Sequence, residues 1–315
     1  MLDQLVSSRV LTISRSPDID HFRSIESLAD ARSIPLARKD FQACFATVAL
    51  RSCTIYLQRT FPRILEARYH STGAIVAFGM DDALSLIING ADIRSASLLL
   101  AKGDAVCDVV EPWANLVAFA KFEAIDGRDW PGEAGHVQQI TTRPAELAAL
   151  RSVTRDILLL ASNSPDLLQQ PQVVDQLEES LLQAVDVALL GPSQLGDAGR
   201  VDLSQYLQLV RKLDEFLQSS AAKVIYSADL AREFGVSVRT LNNAVVAIRG
   251  LSMHRYTRLR RLWNVRQQLV QGPSAAQMKA VALANGFWHM GEFRSLYRDL
   301  FGETPHQTLE AARRQ

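Results

Sequence analysis

The run Ala284-Asn285-Gly286-Phe287-Trp288-His289-Met290-Gly291-Glu292-Phe293, continued by Phe301-Gly302-Glu303-Thr304-Pro305, decides the reading of this chain. Met278, Val281 and Ala282 set apolar residues at helical spacing ahead of it. Gly286 offers the positive φ that a tight turn between two helices needs. Phe293, Leu296, Tyr297 and Leu300 then recur three and four apart, which predicts the buried face of a helix opening at Met290. Phe301-Gly302-Glu303-Thr304-Pro305 stops that helix. Helix, glycine turn and helix together are a helix-turn-helix unit.

The same logic appears once more upstream. Ser227 can cap a helix holding Leu230, Ala231 and Phe234; Gly235-Val236 makes the turn; Ser237 caps the next helix, with Leu241, Val245 and Ile248 toward the core. Small Ala231 lets the two helices cross closely. A long helix over 252–271, with Tyr256, Leu259, Leu262, Val265 and Leu269 on one face, joins the units and ends at Gly272-Pro273. An amphipathic helix over 201–218 opens the region.

These residues carry a resemblance to the AraC/XylS family of bacterial regulators, over about residues 205–309. The matching positions are Leu230-Ala231, Gly235-Val236-Ser237, Leu241, Gly250-Leu251-Ser252, Arg261-Leu262, Ala282, Gly286-Phe287, Phe293, Phe301-Gly302 and Thr304-Pro305. The chain departs from the family at Val245, Met253 and Val265, where Phe, Pro and Ala are usual. The resemblance implies two recognition helices set into adjacent turns of the major groove on one face of double-stranded DNA. Exposed residues near the start of such a helix reach base edges. In the first unit these are Ser237, Arg239, Thr240, Asn242 and Asn243, with arginine suited to guanine and asparagine to adenine. In the second they are His289, Glu292, Arg294 and Arg298. Arg255, Arg258, Arg260 and Arg261 on the linking helix read as a mostly solvated face, with Arg261 a candidate buried arginine.

Charge agrees with a polyanion partner. From residue 225 onward there are 13 Lys and Arg against 6 Asp and Glu, while the preceding 224 residues hold 21 against 28, so a net charge of zero hides a basic region joined to an acidic one. In that acidic part, β-branched and apolar segments recur at 44–50, 54–57, 74–78, 84–88, 97–100, 106–110 and 116–122. Asn89-Gly90, Lys102-Gly103-Asp104 and Glu111-Pro112 punctuate them, which predicts an antiparallel sandwich or barrel. Residues 1–40 read as an arm or a helix over 19–31, and 123–142 as a connection. Two amphipathic helices follow, the first capped by Thr142, the second carrying Val174, Leu177, Leu181, Val185 and Leu189. They form a hairpin that packs on the sheet, spaces the domains or serves in dimerisation. Residues 193–202 look like a linker.

The expected architecture is therefore α+β. A cupin-like barrel or sandwich with an N-terminal arm occupies 1–140, a helical hairpin 141–195 and an all-α double helix-turn-helix domain 203–315. The cupin assignment and its sensing role come from the resemblance, as do RNA polymerase as a partner and the expectation of a homodimeric activator. Only His70 lies within the strand-rich region, with His21 and His136 to either side, so no metal or other cofactor is expected. Arg59-Thr60-Phe61-Pro62-Arg63, with Arg68 nearby, is similar to the dinucleotide-gripping motif of PilZ domains, which makes cyclic-di-GMP a candidate effector. The companion Asp/Asn-x-Ser-x-x-Gly motif is missing, and a metabolite, a fatty acid or a partner protein is the alternative. Cys44, Cys53 and Cys107 have neither zinc nor Cys-x-x-Cys spacing and read as reduced core thiols. None lies in the Pro-Cys-His setting of a DNA-repair methyltransferase, so no catalytic residue is expected. No apolar run spans a membrane and no secretory signal is visible, so a cytoplasmic protein is expected.

Overall fold

The computed structural model describes residues 1–16, 28–37, 41, 43–94, 96–125, 127–190, 203–219, 227–272 and 275–314. The N-terminal half is a sandwich of two antiparallel sheets, not a closed barrel. The strands are β1 (Leu11–Ser16), β2 (Ala29–Pro35), β3 (Ala43–Ala49), β4 (Cys53–Arg59), β5 (Arg63–Tyr69), β6 (Ala74–Gly79), β7 (Ser85–Ile88), β8 (Ala91–Arg94), β9 (Ser97–Lys102), β10 (Ala105–Glu111), β11 (Leu116–Phe122) and β12 (Val137–Thr141). The first sheet runs β1-β3-β4-β11-β6-β9-β12 and the second β2-β5-β10-β7-β8.

All seven expected strand segments are present, and among the described residues five more strands join them. Residues 29–31 of the expected helix lie in β2, and residues 19–27 fall outside the described residues. The expected connection contains β12, which closes the edge of the first sheet against β9. Asn89 and Gly90, both at positive φ, make the tight β7–β8 hairpin.

Alternation along the strands creates successive apolar layers. On the outer face of the first sheet, Val48, Ile55, Leu57, Val76, Phe78, Leu98, Leu100 and Phe122 meet helices α1 (Pro144–Asn163) and α2 (Pro171–Leu190). Leu147, Leu150, Ile157, Leu158, Leu181 and Val185 are buried there, so the hairpin's main apolar face is a packing layer of this chain. Arg143, one residue later than expected, is the N-cap of α1, with Pro144 in the first turn. Between the sheets lie Leu65, Ala67, Ala77, Leu86, Cys107, Val109 and Val117. On the far face of the second sheet, Ile34, Ile64 and Val110 join the core of the helical region.

That region comprises α3 (Ser204–Ser219), α4 (Ser227–Glu233), α5 (Val238–Arg249), α6 (Met253–Val270), α7 (Ala275–Ala284), α8 (Met290–Phe301) and α9 (Pro305–Arg314). Residues 193–202 and Pro273 lie outside the described residues. Among those described, no helix is long and apolar enough to cross a membrane.

Candidate nucleic-acid interface

Two helix pairs, α4–α5 and α7–α8, share one core built around α6. Tyr256, Val265 and Leu269 of α6 are fully buried among Leu230, Leu241, Val245 and Ile248 on one side and Ala282, Phe293, Tyr297 and Phe301 on the other. The three departures from the family pattern, Val245, Met253 and Val265, are all buried in this core. Gly235 (φ 65°) and Gly286 (φ 81°) occupy the two turns, in backbone that a side chain disfavours. After each turn the first backbone bond reaches back, Val236 N–H to Ala231 and Phe287 N–H to Ala282, which fixes the angle of the second helix.

Local hydrogen bonds then set the helix ends. Ser237 Oγ accepts the Thr240 N–H at 3.0 Å as the N-cap of α5. Ser252 Oγ accepts from Arg255 N at the start of α6. Thr304 and Gln307 cap α9 reciprocally: Thr304 Oγ1 accepts from Gln307 N, and Gln307 Oε1 accepts from Thr304 N. This last helix was not expected from the sequence.

The predicted contact residues separate by exposure. Ser237, Arg239, Asn243, His289, Glu292, Arg294 and Arg298 are exposed on the outer faces of α5 and α8. Thr240 is half-buried, its hydroxyl 2.8 Å from that of Ser237. Asn242 is half-buried too, and its Oδ1 accepts the Met253 N–H at 3.2 Å, tying α5 to the start of α6. Val238 (46% exposed) and Trp288 (63% exposed) add bare apolar surface beside these polar groups.

The linking helix differs from the expectation. Arg260 and Arg266 are buried, Arg261 and Arg258 are half-buried, and Arg255 is exposed. Arg266 lies 2.9 Å from Glu303, within hydrogen-bond reach of Tyr297 Oη and Thr308 Oγ1, and its guanidinium stacks 4.7 Å over Phe301. Burial pushes the Tyr297 hydroxyl up to about 12, which keeps it a hydrogen-bond donor at neutral pH. Arg249, at the end of α5, is wholly buried. Sequence reading missed both roles; an arginine at an apolar heptad position beside Val265 was the available signal for Arg266.

In the sandwich, the three arginines of the candidate ligand site are not on one face. Arg59 ends β4 in the first sheet and pairs with Asp3 at 2.9 Å. Arg63 opens β5 in the second sheet, is buried, and pairs with Glu111 at 2.5 Å. Arg68 is exposed. Burial pushes the Cys107 thiol up to about 12 and Cys53 higher still, so neither is a thiolate at neutral pH. Among the described residues, no cluster of His, Cys, Asp and Glu is arranged to hold a metal ion.

A family profile described as "Helix-turn-helix domain" matches residues 230–311. The chain is similar to the "Probable thc operon regulatory protein" of Rhodococcus erythropolis, 29% identical over 102 residues, 32% of this chain and 31% of the relative. It is also similar to the XylDLEGF operon transcriptional activator of Pseudomonas putida, 32% identical over 103 residues, 32% of each chain. It thus spans about a third of the length of these curated relatives. Among solved structures, a probable AraC family transcriptional regulator from Rhodopseudomonas palustris is 33% identical, covers 33% of this chain and 97% of its own, and has a TM-score of 0.30. The AraC-like transcriptional activator CuxR is 12% identical, covers 82% of this chain and 92% of its own, and has a TM-score of 0.38. Residues 230–311 are thus a helix-turn-helix domain of the type carried by AraC/XylS regulators.

Proposed function

We propose that this protein is a sequence-specific, double-stranded-DNA-binding transcription regulator that acts as an activator. The observation that carries it is the pair of helix-turn-helix units on one shared core, each with exposed polar residues on its second helix. In this reading Ser237, Arg239, Thr240 and Asn243 face one major-groove segment, and His289, Glu292, Arg294 and Arg298 the next. Asn242 instead supports α6. The direct test is duplex binding by wild type and Arg294→Ala. Loss of one good bidentate base contact costs about 1–3 kcal/mol, roughly 5- to 150-fold, at the positions Arg294 reads. Equal affinity of wild type for every duplex would refute sequence-specific binding.

The domain assignment follows: an effector-sensing sandwich over 1–140, a hairpin over 141–195 and the DNA-binding domain over 203–315. An apolar or metabolite effector between the sheets is supported by Phe45, Tyr69, Leu99, Phe119 and Val137, which are only partly buried among the clusters there. Cyclic-di-GMP has less support, because gripping it with Arg59 and Arg63 requires breaking pairs with Asp3 and Glu111. Calorimetry with cyclic-di-GMP and a fatty-acid panel separates the two. Homodimerisation through the outer side of the hairpin is supported by Val187 and Leu190, each more than half exposed. RNA polymerase is the partner of the DNA-bound activator, and the cytoplasm is its compartment.

A further inference from the structure

Strands β5 and β10 use both of their faces. Inward, Leu65, Ala67, Cys107 and Val109 are buried between the sheets. Outward, Glu66 stands directly opposite Asp108 in the antiparallel register. Like charges opposed across a strand pair repel, so this pair destabilises the sheet that carries it.

The helical region supplies the counter-charge. Arg249 Nη2 lies 2.7 Å from Asp108 Oδ1 and donates to Asp214 Oδ2 at 2.6 Å. Arg260 Nη1 donates to Glu66 Oε1 at 3.0 Å, and Arg211 Nε to Asp108 Oδ2 at 3.0 Å. Tyr256 Oη donates to Asp214. Three carboxylates thus meet three guanidiniums, but they divide unevenly: the sheet holds Glu66 and Asp108, while the helices hold Asp214 and all three arginines. Apart, the helices would keep two excess positive charges, and on the sheet only Arg32 of β2, opposite Glu66 in register, would offset part of the negative pair. Around the cluster, Gly90 of the β7–β8 turn approaches Ile248 and Leu203 so closely that an added Cβ would lie 2.8 Å from each.

The cluster is close but not saturated. Arg249 is fully buried, yet among the described residues its Nε and Nη1 have no hydrogen-bond partner. Partly satisfied buried networks are costly, so the docked arrangement is less stable than a fully paired one would be. Arg249 is also the last residue of α5, which Ser237 caps and whose first turn carries Arg239.

We propose that the opposed Glu66–Asp108 pair couples the interior of the sandwich to the first recognition helix. A change among Leu65, Ala67, Cys107 and Val109 displaces the two carboxylates on the reverse face and thereby tightens or releases Arg249 and Arg260. The consequence for DNA rests on the DNA-binding reading; the docking does not.

The test uses the full chain and its Glu66→Gln/Asp108→Asn double variant, which keeps side-chain shape and removes the charges that Arg211, Arg249 and Arg260 meet. Hydrogen exchange is read on both, along with affinity for a duplex enriched from a random pool by wild type. Exchange should rise at least about tenfold in the end of α5 and the start of α6, with β4–β11 and α8 unchanged. Duplex affinity should change at least about fivefold. Unchanged exchange at α5 and α6 overturns the coupling, as does loosened exchange with duplex affinity the same within about twofold. General loss of protection that includes β4–β11 also overturns it, since the pair would then be merely structural. If wild type enriches no duplex, the DNA-binding reading fails, while the exchange result still decides whether the pair holds the domains together.

Discussion

Replacing Arg266 with methionine should loosen the second helix-turn-helix unit without touching any residue on its outer face. Methionine keeps apolar volume beside Phe301 but removes the charge that meets Glu303 at 2.9 Å. Breaking a buried pair by deleting one partner costs about 3–5 kcal/mol. The Glu303 side chain is 23% exposed and recovers part of its hydration, and Tyr297 Oη keeps Thr308 Oγ1 at 2.9 Å, so the lower end applies. A loss of about 3 kcal/mol corresponds to roughly 150-fold faster exchange of amides that open with this unit. Hydrogen exchange of α8 and α9 reads this directly, with the β4–β11 pairing as an internal standard. Arg294→Ala should behave in the opposite way, with stability within about 0.5 kcal/mol of wild type and weakened duplex binding. Exchange of α8 in Arg266→Met within about fivefold of wild type would refute the assignment of Arg266 as the brace of this unit.

Asn242→Ala removes the acceptor of the Met253 N–H and should cost about 1 kcal/mol by urea unfolding, with base preference unchanged; altered preference with unchanged stability would make Asn242 a base reader. His70 lies 2.9 Å from Asp30 and 3.5 Å from Asp104, whose carboxylates raise its pKa. Because the folded value is the higher one, its stabilisation is complete below the ordinary histidine range and fades as pH rises through the raised value; an NMR titration of His70 at or below the ordinary value would contradict this. Val187→Asp should shift a dimer toward monomer in sedimentation at fixed concentration, and an unchanged dimer would remove the outer face of α2 from the interface.

The helical region was legible because its signals are local. Glycine turns, the Ser237 cap and the spacing of Phe293, Tyr297 and Leu300 each act within a few residues, and the structure uses them as read. The strands found from sequence were the apolar ones. Strand β5 was hidden because Arg63 and Glu66 look solvated in sequence and find partners only across the fold, at Glu111 and Arg260. Arg260 was misread and Arg249 passed over for the same reason: Glu66 and Asp108, which meet them, lie well over a hundred residues away. Burial of charge depends on long-range pairing, which periodicity does not report. Exposure likewise sorted Asn243 from Asn242, neighbours that sequence treats alike.

The central claim, two recognition helices reading one duplex, is tested most directly by selecting duplexes from a random pool and footprinting the winners. The account predicts two protected major-groove segments about 10 base pairs apart on one face. Arg239→Ala should relax sequence preference in one segment only, and Arg294→Ala in the other only. Uniform protection of unselected DNA, or a single segment unaffected by either substitution, would contradict it.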